Sequence, residues 1–133
     1  MIRVVLDSNV IVAALRSRRG ASYKLLSLLG DPRWQPAVSY PLVLEYEAAA
    51  RRKVSLPGPP DWTIEALVDL ICLVGSQHEV YFRVRPALRD PADDFVLELA
   101  VASQADFIVT YNLRDFRGCD RWGASASSRP PSF

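Results

Sequence analysis

The sequence has few of the residues that nucleophilic enzymes and zinc proteins need. Its 133 residues include one histidine, His78, and two cysteines, Cys72 and Cys119, which stand far apart. A catalytic triad requires a histidine as base, and His78 lies in a strand-like segment, so we interpret it as structural. No CxxC motif and no zinc-ligand spacing occur, and this cysteine usage is typical of a reducing compartment. We expect Cys72, in an apolar helical stretch, to be buried.

Two further absences concern location and partners. No apolar run approaches the roughly 18 residues of a membrane span, and the first residues lack the flanks of a signal peptide, so we expect a cytoplasmic protein without membrane contact. The net charge is only +1, so no overall basic field indicates nucleic acid binding. A basic rim around an acidic pocket would still sum to zero. Lysine occurs only twice and the other basic residues are arginine, which suits phosphate contacts.

Length and hydrophobic patterning predict one α/β domain. A chain of 133 residues, half of them hydrophobic, can form a single core, so we treat residues 1–133 as one domain. Apolar, β-branched runs alternate with helix-like segments, which predicts a parallel sheet with helices on both faces. Strands are predicted at 3–6, 35–39, 79–84 and 107–110, and helices at 9–15, 22–29, 41–53, 61–76 and 90–104.

Acidic and amide side chains follow the predicted strands. Because the carboxyl ends of parallel strands meet at one edge of a sheet, these side chains can converge there. Each one alone is explained as well by helix capping or by solvation, so only the joint pattern indicates a site. The positions are Asp7, Glu45, Asp90, Asp93, Asp94, Asn112 and Asp115.

A cluster of carboxylates indicates a divalent cation. Ionised carboxylates repel one another, and no basic residue follows these acids at a regular offset that would neutralise them. Oxygen ligands select Mg²⁺ or Mn²⁺, and such an ion can activate water and stabilise charge on a phosphate. The phosphate-binding patterns GxGxxG and GxxxxGK[ST] are absent. The pattern therefore favours phosphodiester hydrolysis, with Ser8 capping the first helix and Asp7 free to face the ion.

Four segments resemble the PIN-domain family, in particular the VapC-like ribonuclease toxins of bacterial toxin–antitoxin pairs. They are LDSNVIVAAL, SYPLVLEYE, RDPADDFVLELAVAS and VTYNLRDF, in family order and over almost the whole chain. The resemblance implies a three-layer α/β/α fold with a central parallel sheet and a metal-dependent ribonuclease. Asp7, Glu45 and Asp94 match the acidic ligands of Mg²⁺ or Mn²⁺, with Asp93 beside the third.

Further positions follow from the same resemblance. The fourth acidic position falls in TYNLRDF, where Asn112 stands at the Asp of many members and Asp115 comes three residues later. Asn9 and Thr110 match residues that orient the acidic ligands. The arginines that we consider for RNA backbone contacts are Arg16, Arg18, Arg19, Arg114 and Arg117.

The resemblance also implies partners, and it leaves alternatives open. We expect an RNA substrate, a cognate antitoxin that binds near the active site, and a homodimer through the helices at 22–29 and 41–53.

From about residue 124 the tail GASASSRPPSF lacks apolar side chains, which predicts a weak last strand or a disordered end. One alternative is a PIN module without catalysis that binds RNA or protein. Another, a receiver-type signalling domain, lacks the expected lysine after the last strand.

Overall fold

The described part of the chain covers most of the predicted elements. The computed structural model describes residues 1–53, 61–80, 91–113 and 126–127, with the backbone alone at 61, 91–94 and 126–127. Some predictions therefore lie outside the described residues. They concern Asp90, Arg114, Asp115, Arg117 and the tail apart from residues 126–127.

Within these ranges, most helices and strands begin and end within two residues of their predicted bounds. The strands are β1 (Ile2–Leu6), β2 (Trp34–Val38), β3 (Ser76–Gln77), β4 (Phe107–Val109) and β5 (Ala126–Ser127). The helices are α1 (Ser8–Arg16), α2 (Ala21–Ser27), α3 (Tyr40–Lys53), α4 (Asp61–Val74) and α5 (Pro91–Ser103). No helix among the described residues is both long and apolar enough to cross a membrane.

The third strand is not where the sequence predicts it. The first two residues of the predicted strand at 79–84 belong to no strand, the rest lies outside the described residues, and β3 comes earlier in the chain. The reason is the close approach at Gly75, where an added Cβ would lie 2.6 Å from the carbonyl oxygen of Ile71 and 2.9 Å from that of Pro36. The chain leaves α4 directly against β2, and the next two residues pair with it.

All neighbouring strands are parallel, in the order β3-β2-β1-β4-β5. The predicted α/β/α arrangement around a parallel sheet is confirmed. After Arg3, the central strand β1 is apolar to its end, as expected for a strand of a sheet that helices cover on both faces. Its last three residues, Val4, Val5 and Leu6, are fully buried. The two-residue strand β5 pairs with β4 in the tail.

The register between β1 and β4 determines which side chains meet at the carboxyl edge. Leu6 pairs with Val109, so the next residues, Asp7 and Thr110, stand side by side where the two strands end. The amide of Asp7 donates a hydrogen bond of 3.0 Å to the carbonyl oxygen of Val109, which continues the pairing by one residue. The prediction that Cys72 is buried is wrong, because this residue is only partly buried.

Candidate metal centre

Asp7 lies where β1 ends and α1 begins. Its backbone is extended, with φ −70° and ψ 151°, and its carbonyl oxygen accepts a hydrogen bond of 3.0 Å from the amide of Val10. Asp7 thus holds the N-cap position, yet its carboxylate makes no capping hydrogen bond. The prediction that Ser8 caps α1 is wrong, because Ser8 is already the first helical residue. The carboxylate of Asp7 is consequently left for other contacts.

Three side chains donate hydrogen bonds to this carboxylate. The Thr110 hydroxyl reaches Oδ2 at 2.7 Å, and the Asn9 amide reaches the same oxygen at 3.3 Å. The Ser8 hydroxyl lies 3.5 Å from Oδ1, and the backbone amide of Ser8 also donates a hydrogen bond to this carboxylate. Asn9 and Thr110 lie beside Asp7, where the family resemblance places them, and their effect on a metal stays a prediction.

The carboxylate of Asp7 is buried and has no ion-pair partner among the described residues. Asp7 is 3% exposed, and no ion pair between described residues includes it. Burial raises the pKa of Asp7 above its ordinary 3.8, and the hydrogen bond from Thr110 and the charge of Lys53 oppose this only in part. A buried negative charge is costly unless an opposite charge lies beside it. A positive ion beside this carboxylate would offset that cost.

The Thr110 hydroxyl connects Asp7 to the end of β4. While it donates to Asp7, it accepts hydrogen bonds from the Asn9 amide at 3.3 Å and from the backbone amide of Asn112 at 3.0 Å. A hydroxyl has one proton and two lone pairs, so every hydrogen-bonding position is used. The backbone of Asn112 is thereby held near Asp7, whereas the residue as a whole is exposed.

Glu45 faces a cleft between α3 and α5. The cleft has a volume of about 510 Å³, and its lining includes Tyr40, Phe95 and Glu98. The Glu45 carboxylate forms a 3.2 Å ion pair with Arg52. The expectation that no basic residue neutralises these acids is therefore wrong for Glu45. Seven residues are about two turns of helix, so Arg52 reaches back along the same face of α3.

Glu98 is an acidic residue of this cleft that the sequence did not indicate. It is only 5% exposed and lies on α5, within the apolar segment VLELAV that reads as core. Glu98 comes four residues after Asp94, and this spacing places two residues on one face of a helix. The spacing could therefore have indicated Glu98 as a further acid of the site. Asp93 and Asp94 lie in the first turn of α5, but their side chains are outside the described set.

The side-chain atoms proposed as ligands are of the kind that hard cations prefer. Asp7 and Glu45 are the proposed ligands whose side chains are described, and both supply only oxygen atoms, as Mg²⁺ and Mn²⁺ prefer. Among the described side chains, no group of three or more Asp, Glu, His or Cys could hold a metal. The third proposed ligand, Asp94, lies outside that set. The number of ligands therefore stays a prediction.

The predicted RNA-contacting arginines differ in their surroundings. The guanidinium of Arg16 donates a hydrogen bond to the carbonyl oxygen of Lys53 and so joins the ends of α1 and α3. Arg18 and Arg19 lie exposed in the loop between α1 and α2. Their side chains are open to solvent, which a phosphate contact requires.

Tyr46 is a second contributor that the sequence did not indicate. It follows Glu45 directly, it is fully buried, and its hydroxyl donates a 2.6 Å hydrogen bond to the carbonyl oxygen of Leu6. This bond holds the peptide group between Leu6 and Asp7 and thus the end of β1. His78, by contrast, shares a 2.8 Å hydrogen bond with the hydroxyl of Ser76, which agrees with a structural role.

Comparison with known families assigns the chain. A family model described as "PIN domain" matches residues 3–114, which is most of the sequence. The chain belongs to the PIN-domain family, as its motifs predict, and the receiver-type alternative is set aside. A comparison with curated proteins finds no match.

A solved structure shows the same fold. The similar chain is part of the crystal structure of VapBC2 from Rickettsia felis bound to a DNA fragment from their promoter, with a TM-score of 0.63 and 14% sequence identity. The similarity covers 94% of this chain and 98% of that chain. At such low identity the similarity shows the fold alone, since one fold can carry unrelated activities.

Proposed function

We propose that this protein is an Mg²⁺- or Mn²⁺-dependent endoribonuclease and the toxin of a cytoplasmic toxin–antitoxin pair. The observation that carries the proposal is the Asp7 carboxylate, which is almost fully buried at the carboxyl edge of the sheet without an ion pair among the described residues. A cation beside this oxygen pair offsets the cost of its burial. Membership of the PIN-domain family supports a nuclease.

The proposed centre combines residues from three elements. Asp7, Glu45 and Asp94 would hold the ion, with Asp93 beside Asp94 and the Asn112 amide or the Asp115 carboxylate at the fourth position. Thr110 and Asn9 hydrogen-bond to Oδ2 of Asp7 and so hold this carboxylate in one orientation. When bound, Mg²⁺ or Mn²⁺ lowers the pKa of a water and stabilises negative charge on a phosphate. The expected products carry a 5′-phosphate and a 3′-hydroxyl.

Substrate and partners follow from the surroundings of the centre and from the fold. The exposed Arg18 and Arg19 contact the RNA backbone, with Arg114 and Arg117 as further candidates. Similarity to a chain of a VapBC2 complex supports a cognate antitoxin that covers the site. A homodimer through α2 and α3 is part of the proposal.

The ion pair between Glu45 and Arg52 favours an alternative function without catalysis. Because Arg52 already neutralises this carboxylate, the chain could be a PIN module that binds RNA or protein without cutting. Metal binding separates the two functions. In the first, an ion displaces or joins Arg52 at Glu45, and in the second no ion binds there.

Cleavage of a mixed RNA pool tests the proposal. The pool is incubated with the purified protein in Mn²⁺ or in EDTA, and wild type is compared with Asp7→Asn and with Asp69→Asn. Asp69 is an exposed residue of α4 and provides the matched control. Wild type and Asp69→Asn should cut RNA only with Mn²⁺, and Asp7→Asn should not cut.

Calorimetric titration with Mn²⁺ distinguishes the remaining outcomes. A protein that binds neither Mn²⁺ nor Mg²⁺ at millimolar concentration has no such centre, and the nuclease proposal is then wrong. A protein that binds RNA, binds no metal and cuts no RNA would instead support the binding module.

A further inference from the structure

Tyr111 lies beside the candidate metal centre with an exposed side chain. It directly follows Thr110, whose hydroxyl bonds Asp7, and it is 49% exposed. Exposed tyrosines are common on protein surfaces and by themselves indicate nothing. Tyr111 differs in its position, at the carboxyl edge of β4 next to the carboxylate proposed for catalysis.

Both ends of Tyr111 are held in place. Its hydroxyl shares a 2.6 Å hydrogen bond with the hydroxyl of Ser22, a residue of α2 that is only 4% exposed. Its backbone amide donates a 3.3 Å hydrogen bond to Oδ1 of Asn9. The other end of the same Asn9 side chain donates to Oδ2 of Asp7, so one amide group connects Tyr111 with the catalytic carboxylate. The ring is therefore a rigid, partly exposed surface at a set position relative to Asp7.

A rigid aromatic ring suits the binding of a nucleobase. Single-stranded RNA is recognised largely by stacking of unpaired bases on aromatic side chains, and a ring that is already ordered loses little entropy on binding. We propose that Tyr111 is a stacking platform for an unpaired base of the RNA, beside the phosphate that the metal centre cleaves. This inference rests on the proposed function.

Basic residues close to Ser22 in the sequence suit an RNA strand that passes Tyr111. The exposed Arg18 and Arg19 precede Ser22 by four and three residues, in the loop that leads into α2. Basic side chains thus precede the helix whose Ser22 bonds the Tyr111 hydroxyl, and Asp7 is bonded by Thr110, the residue before Tyr111. A strand that runs between them places its phosphates near the arginines and one base on the ring.

Binding of two matched oligomers tests the platform. One is an oligoadenylate, and the other is an abasic ribose-phosphate oligomer of equal length, which has the same charges but no bases. Affinities are measured by fluorescence anisotropy in the Asp7→Asn background, which prevents cleavage. Tyr111→Ala should weaken binding of the oligoadenylate about tenfold and leave binding of the abasic oligomer unchanged. Tyr111→Phe keeps the ring and should bind both oligomers within about twofold of its parent.

Tyr23→Ala is the matched control. Tyr23 lies on α2 with a similar exposure of 41%, and it lines a different recess with Leu26 and Leu67. This variant should bind both oligomers like its parent. A thermal melt of each variant separates a loss of folding from a loss of stacking.

The outcomes separate this inference from the proposed function. Equal losses on both oligomers with Tyr111→Ala, or no loss on either, would overturn the platform while RNA binding itself stands. A parent protein that binds neither oligomer, together with a wild type that cuts no RNA in Mn²⁺, would overturn both.

Discussion

The Thr110 hydroxyl donates a 2.7 Å hydrogen bond to the Asp7 carboxylate across 103 residues of sequence. The parallel register of β1 and β4 creates this contact, because pairing of Leu6 with Val109 leaves the next two residues adjacent. The bond occupies Oδ2, so the direction of the remaining oxygen, Oδ1, depends on Thr110. The residue that follows β4 therefore orients the acid that follows β1.

Replacing Thr110 with valine tests this dependence. Valine has nearly the same shape but leaves Oδ2 of Asp7 without its shortest hydrogen bond. We expect the free energy of unfolding to fall by about 1–3 kcal/mol and the Mn²⁺ affinity to fall about 10- to 100-fold. Urea unfolding and calorimetry measure the two effects. Thr110→Ser keeps the hydroxyl and should retain most of the metal affinity, and an equal loss in both variants would contradict the role of the hydroxyl.

Replacing Asp7 with asparagine should stabilise the metal-free protein at neutral pH. Burial raises the pKa of Asp7 above 3.8 in the folded state, so the folded protein binds this proton more tightly than the unfolded chain does. The free energy of unfolding therefore falls as the pH rises from about 3.8 through the raised pKa, and the loss persists at pH 7. Asp7→Asn removes this loss.

Urea unfolding in EDTA across this pH range measures that change. The difference between Asp7→Asn and wild type should grow as the pH rises and favour the variant at pH 7. The exposed Asp69→Asn provides the comparison and should follow wild type. Added Mn²⁺ should stabilise wild type but not Asp7→Asn. Lower stability of Asp7→Asn at pH 7 in EDTA would show that the buried charge is not costly.

Glu45 and Glu47 lie on the same helix and both pair with arginine, yet only Glu45 is a proposed ligand. Glu45 pairs with Arg52 at 3.2 Å, and Glu47 pairs with Arg51 at 3.8 Å. The arginine of each pair is about half exposed, and such surface ion pairs contribute about 0–1 kcal/mol, so either Glu→Gln change should alter stability by less than about 1 kcal/mol. Glu45→Gln should lower the Mn²⁺ affinity about tenfold or more, and Glu47→Gln should not. Equal calorimetric affinities of the two variants would exclude Glu45 as a ligand.

Removing the Tyr46 hydroxyl should destabilise the end of β1. Tyr46→Phe leaves the buried carbonyl oxygen of Leu6 without its 2.6 Å hydrogen bond, at an expected cost of about 1–3 kcal/mol. Tyr40→Phe is the control, because Tyr40 begins the same helix but is 76% exposed, and it should change stability by less than about 0.5 kcal/mol. Thermal unfolding of both variants measures the difference. Matching melting temperatures would argue against an anchoring role for Tyr46.

Local sequence patterns predict most of the helices and strands and the place of the first acid. The apolar run of β1 and the turn residues around the helices set backbone preferences within a few residues, so most bounds were predicted closely. The position of Asp7 at a strand end follows from the same local pattern. The family assignment, too, was predicted from four short motifs.

Tertiary structure alone decided how these elements meet. The prediction that Ser8 caps α1 was wrong, and β3 comes at Ser76–Gln77, before the predicted strand, because helix starts and strand pairing depend on tertiary contacts such as the close approach of Gly75 to Pro36. The ion pair of Glu45 with Arg52 and the burial of Glu98 depend on side-chain packing that local patterns do not report. The contact of Thr110 with Asp7 requires the strand register, which distant segments of the chain establish together.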